Sequence, residues 1–167
     1  MHRLLLPLLA ILLLAAGCNS VGCTDNQNSI PLAGFYSMSL GQSIRPDSIA
    51  IHGVGAPGDS LLLSPDASSA QVYLPLRSTR AETSFCIRYC QRALDFVELN
   101  DTITFAYTSI PFFASEECGA MYHYRITRLT HTSHLIDSVG LTDSLVTNVE
   151  RETGQIYITK NEENSHI

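Results

Sequence analysis

The chain has 167 residues, 45% of them hydrophobic and 16% charged, with a formal net charge of −6. That length fits one domain, and the composition is too apolar and too weakly charged for a disordered chain. The acidic balance, with Lys160 the one lysine and no basic cluster, excludes a nucleic-acid partner held by its phosphates.

In chain order, a short cationic start, Met1-His2-Arg3, leads into an apolar run from Leu4 to Ala16 that contains Pro7. The run is 13 residues long, whereas a spanning helix needs roughly 20. It therefore reads as the core of a cleaved signal helix over residues 1–17. The small residues Ala15-Ala16-Gly17 before Cys18 resemble the lipobox of bacterial lipoproteins, in which the thiol is joined to diacylglycerol and the chain is cut before the cysteine. The usual pattern has Leu three residues before the cysteine; here Ala15 stands there, with Leu14 one step further out. The resemblance implies lipidation at Cys18 and a membrane anchor; the alternative is an ordinary secretory signal with Cys18 in a disulfide.

The cysteine count agrees with lipidation. After residue 17 the chain holds Cys18, Cys23, Cys86, Cys90 and Cys118. An odd number in an exported protein leaves one over, and a lipid on Cys18 leaves four for an oxidising compartment. Removing residues 1–17 takes away Arg3 alone, so the remaining net charge is −7. An anionic bilayer surface would not attract such a domain, so the contact with membrane is expected through the lipid.

Residues 18–30 are polar and short of core formers, and read as a lipidated tether. No acidic run follows Cys18 directly, as one does in some surface-exported Bacteroidota lipoproteins. An outer-membrane lipoprotein facing the periplasm is the expectation.

From about Ala33 the pattern has period two. Ile49 and Ile51 alternate with small or polar neighbours, as do Val72, Leu74 and Leu76. Phe85, Ile87 and Tyr89 share one face, with Cys86, Arg88 and Cys90 on the other. Ile103, Phe105 and Tyr107 follow, then Tyr122, Tyr124 and Ile126, then Ile156 and Ile158. Such alternation marks half-buried strands, and these residue types suit a pleated surface. Turn chemistry separates the runs at Arg45-Pro46-Asp47, Gly53 to Gly58, Ser64-Pro65-Asp66, Glu98 to Asp101 and Glu152-Thr153-Gly154. A short turn near Cys90 to Leu94 is the one helical candidate. The expected fold is all-β: an antiparallel β-sandwich of about eight or nine strands over residues 31–160, immunoglobulin-like in outline but lacking a tryptophan. Residues 161–167 read as a flexible tail.

Several constellations invite chemistry and fall short of it. Gly53-Val54-Gly55-Ala56-Pro57-Gly58 has the spacing of a dinucleotide loop, but Pro57 interrupts it and Leu61-Leu62-Leu63 reads as a strand, so a hairpin connection is expected. His131 and His134, with His123 upstream, have a three-residue spacing that points to opposite faces of a strand. The carboxylates of Asp95 to Asp101 and Asp137 to Asp143 lack the alternating ligands and closing glutamate of a calcium loop. Glu116 and Glu117 are adjacent and diverge. No serine stands in a glycine elbow or beside a lysine partner, and export disfavours a catalytic thiol. Neither catalytic residues, a metal site nor a cofactor is therefore expected. Cys86 and Cys90 on one straight strand would lie about 13 Å apart, beyond the roughly 4.4–6.8 Å that a disulfide spans, so they pair with each other only if the chain bends.

These features together resemble a family of Bacteroidota small lipoproteins of unknown function. The shared marks are the lipobox, Cys23 before the first strand, Pro31 with the Phe35-Tyr36 strand, Leu74-Pro75-Leu76-Arg77 at mid-chain, Tyr107, Cys118-Gly119, and the Ile156 to Ile158 strand. The resemblance implies a Cys23–Cys118 disulfide that pins the N-terminal segment; Cys86 and Cys90 depart from the pattern and their state stays open. It brings no enzyme activity. The expected function is a membrane-anchored docking module for an outer-membrane or periplasmic protein. The alternatives are a cation- or glycan-binding module using loop carboxylates with Tyr122 and Tyr124, and then a hydrolase.

Overall fold

A computed structural model describes residues 29–116 and 118–159. The expected signal helix, Cys18, Cys23 and the tail lie outside these residues. Ten strands are formed: β1 (Leu32–Ser37), β2 (Ile49–Gly53), β3 (Leu61–Leu63), β4 (Gln71–Tyr73), β5 (Glu82–Tyr89), β6 (Asp101–Ser115), β7 (Gly119–His131), β8 (Ile136–Leu141), β9 (Leu145–Val146) and β10 (Glu152–Ile158). They build a four-stranded sheet in the order β4-β1-β10-β8 and a six-stranded sheet in the order β3-β2-β5-β6-β7-β9. Among the described residues no helix is long and apolar enough to cross a membrane.

Period-two patterning becomes burial directly. In β5 the residues Phe85, Ile87 and Tyr89 are buried while Cys86 and Arg88 face outward. The inward sets of both sheets meet in one core: Phe35, Val72, Ile136 and Ile156 come from the smaller sheet, and Ile51, Ile87, Phe105 and Ile126 from the larger. Phe85 and Phe105 meet edge to face at 6.0 Å, an arrangement that suits the ring quadrupoles. The glycine-rich stretch after β2 is a hairpin connection, with β3 antiparallel to β2. Residues 91–94 form a turn, as the sequence suggests, and short 3-10 turns occupy Pro57–Asp59 and Val97–Leu99.

Three expectations are corrected. The described residues hold ten strands rather than eight or nine, because two give no alternation to read: in β8 the inward Ile136 and Val139 stand three apart, and β9 has only two residues. The sandwich is not wholly antiparallel, since β1 and β10 run parallel, from Leu32 opposite Glu152 to Ser37 opposite Ile158. Local pattern says which face a strand buries, not which strand lies beside it. Lastly, Glu152-Thr153-Gly154 is no turn but the start of β10. Its small and polar residues serve a bulge opposite Leu32 and Ala33. There the Thr153 hydroxyl accepts the Leu32 N–H at 3.1 Å and donates to the Leu32 carbonyl at 3.3 Å, so a side chain takes the place of a ladder bond.

Candidate functional site

Three places concentrate polar or aromatic chemistry. The first is Asp101, the opening residue of β6, which is completely buried. One carboxylate oxygen accepts the Thr132 hydroxyl at 2.7 Å and the His134 N–H at 2.9 Å. The other accepts the Tyr89 hydroxyl at 2.8 Å and the N–H groups of Leu135 and Ile136 at 2.8 and 3.0 Å. Residues 132–135 carry the chain from β7 in one sheet to β8 in the other, so this carboxylate fixes the crossover between sheets. Burial alone would raise its pKa; the hydrogen bonds from His134, Leu135, Thr132 and Tyr89 outweigh it and hold the carboxyl below its ordinary value. Burial and the neighbouring carboxylate push the Tyr89 phenol up, so it remains a donor. All five donors are satisfied within the protein, which makes Asp101 a structural tie.

The second place is the hairpin of β6 and β7. Beside β6, strand β5 reaches only from Asp101 to Ala106, and beside β7 the short β9 pairs only at Tyr124 and Arg125. Beyond these points the two strands continue as a two-stranded arm, pairing from Ile110 opposite His123 to Ser115 opposite Gly119. Its base is clamped. The Tyr107 hydroxyl donates to the Arg77 carbonyl at 2.9 Å and accepts the Arg77 N–H at 3.0 Å, and its ring meets Tyr124 edge to face at 5.4 Å. Further out, Pro111 lies opposite Tyr122 and Phe113 opposite Ala120, all four exposed. Phe113 is 69% and Tyr122 41% accessible. On the arm's other face Phe112 stacks on His123 at 3.8 Å, and His123 Nε2 is buried with no hydrogen-bond partner among the described residues.

The third place is the outer face of the four-stranded sheet. Glu152 accepts the Tyr36 hydroxyl at 2.7 Å and the Gln155 amide at 3.2 Å on one oxygen, and the Gln71 amide at 2.9 Å on the other. The Tyr157 hydroxyl in turn donates to the Gln155 amide oxygen at 2.9 Å. Partial burial raises the Glu152 carboxyl, but the Tyr36, Gln71 and Gln155 hydrogen bonds prevail and lower it. Beside this group runs a shallow cleft between Ile30, Leu32, Tyr73 and Val149, where the Tyr73 hydroxyl donates to Glu150.

The residues singled out from sequence are scattered over these places. Tyr122 is exposed on the arm, but Tyr124 is buried against Tyr107, so the two do not share a ligand surface. His131 and His134 sit where β7 ends; the His134 side chain is exposed while its backbone serves Asp101. Asp95 makes a bidentate pair with Arg88, and Asp143 pairs with Arg151 at 2.8 Å. Among the described residues no three His, Cys, Asp or Glu side chains group as metal ligands. Cys118 lies at the arm's tip, its N–H donating to the Ser115 hydroxyl. Cys86 and Cys90 lie on and just after β5; Cys90 is a free thiol, so no bond joins these two. Glu116 is exposed, and Glu117 lies outside the described residues. Asp101 and Glu152 were both missed, because each stands in a stretch whose composition signals a turn and each finds most of its partners far along the chain.

Fold and surface together define a small all-β, two-sheet domain with one projecting arm. The model of a family of unknown function, DUF6452, matches residues 48–158, and the chain belongs to that family. The match runs from the entry of β2 to the end of β10, and the family's description carries no activity. No curated protein and no solved structure matches the chain.

Proposed function

We propose that this protein is a lipid-anchored docking module of the cell envelope, facing the periplasm, that holds an outer-membrane protein through the β6–β7 arm. The observation that carries this reading is the exposed face of Pro111, Phe113, Tyr122 and Ala120, which bears no charge and stands clear of both neighbouring strands. Contiguous apolar surface of this kind is where proteins meet. The partner's membrane location follows from the anchor. Lipid on Cys18 and a bond from Cys23 to Cys118 would leave five residues between bilayer and arm tip, a reach of about 17 Å. In support of that bond, Cys118 is disulfide-bonded and Cys90 is not its partner.

A photo-crosslinking residue at Phe113 in intact cells is expected to yield an adduct with one integral membrane protein, and the same residue at exposed Val54 to yield none. Equal labelling from both positions, or adducts with lipid alone, would overturn the docking reading. The anchor has its own test. Cys18→Ser should accumulate as an uncut precursor that takes up no labelled fatty acid; normal maturation with label retained would remove the anchor.

A further inference from the structure

We infer that the outer face of the four-stranded sheet is a binding site for a neutral oligosaccharide, centred on Glu152. Strand β1 carries Gly34 at the middle of this face, although glycine weakens a strand interior. The reason is space: a Cβ there would fall 2.3 Å from Glu152 Oε2 and 2.9 Å from the Tyr36 ring. The carboxylate thus lies flat across β1, held in one orientation by three neutral donors. The strands it crosses are already joined by their backbone ladders, so sheet formation does not account for ordering these side chains.

The chemistry left over is that of sugar recognition. A carboxylate has about four lone-pair directions and an amide two N–H groups. Glu152 uses three of the former, and Gln71 and Gln155 each use one N–H on it. Preset acceptors and donors therefore remain side by side, as vicinal hydroxyls require. Tyrosine rings supply the apolar complement for the C–H faces of a sugar: Tyr36 and Tyr157 lie 5.5 Å apart, and Tyr73 is 46% exposed beside the cleft. No cation suits the place, since phenol and amide donors already surround the carboxylate. Arg151, the cation at the cleft, is already paired with Asp143, and the two carboxylates Glu150 and Glu152 disfavour an anionic ligand. A neutral polyhydroxyl chain laid along the cleft meets both halves. The site uses residues remote from the arm and does not depend on the docking reading.

The test is titration of the full chain with chitohexaose, cellohexaose and maltohexaose, read by amide NMR shifts. One of them is expected to shift the signals of β1, β4 and β10 at millimolar concentration or below, leaving those of the arm in place. Gly34→Ala should displace the flexible Glu152 side chain with the fold intact and weaken that affinity about tenfold, the loss of roughly one well-placed hydrogen bond. Gln71→Ala, an exposed edge change, should act likewise if Gly34→Ala proves unstable. The assignment falls if none of the three sugars moves these signals, if affinity survives both variants, or if a neutral Ser/Thr decapeptide moves the signals in their place.

Discussion

Asp101→Asn should lower the stability of the domain by about 3–5 kcal/mol, because each buried donor left without its acceptor costs roughly 1–3 kcal/mol. The amide keeps one acceptor oxygen and turns an NH2 group against donors it cannot satisfy. Those donors are either the Leu135 and Ile136 N–H groups with Tyr89, or Thr132 with the His134 N–H. Set against total stabilities of about 5–15 kcal/mol, this is among the largest single changes the domain can undergo. It also carries a pH signature. The folded pKa of Asp101 is depressed, so its contribution is complete above the unfolded value near 3.9 and is lost as the pH falls from there through the folded value. The melting-temperature gap between wild type and Asp101→Asn should therefore be widest at pH 7 and shrink steadily as the pH falls below about 4. A gap of constant width would show that the carboxylate's charge is irrelevant to the tie.

The paired change Cys23→Ser, Cys118→Ser is expected to be nearly as costly. Their positions are 95 residues apart, and closing so long a loop lowers the entropy of the unfolded chain by about 4–5 kcal/mol at most. A fall in Tm of roughly 10 °C or more follows for a domain of this size. Cys90→Ser, which alters a free thiol at the end of β5, should leave Tm nearly unchanged. An unaltered Tm in the double variant would refute the pairing, as would a non-reducing peptide map that joins Cys23 to Cys86 or Cys90.

Much of the architecture is legible before any coordinates. The alternations at Phe85 to Tyr89 and Ile103 to Tyr107 give the burial of β5 and of the first half of β6 residue by residue, because side-chain period and sheet pleat are the same property of an extended chain. The hairpin after Gly53 is equally readable, since proline and successive glycines break a dinucleotide loop. What alternation cannot carry is partnership. Asp101 sits at the end of a polar stretch and resembles any turn aspartate; four of its five donors lie 31 to 35 residues away at Thr132 to Ile136, and the fifth, Tyr89, is 12 residues back. Tyr122 and Tyr124 look equivalent in sequence, yet Tyr124 is buried against Tyr107 while Tyr122 stays 41% exposed on the arm. Glu152-Thr153-Gly154 misleads because a bulge and a turn favour the same residue types.

The parallel pairing of β1 with β10 has a kinetic meaning. The contact between Leu32 and Thr153 spans 121 residues, so half of the smaller sheet cannot assemble until its last strand is present. Before that, β1 has only the three-residue β4 as a neighbour. Pairings this remote raise contact order and slow folding from milliseconds toward seconds. The six-stranded sheet has all its strands before β10, so a growing chain can build that layer early, but the sandwich closes only once β10 has been made.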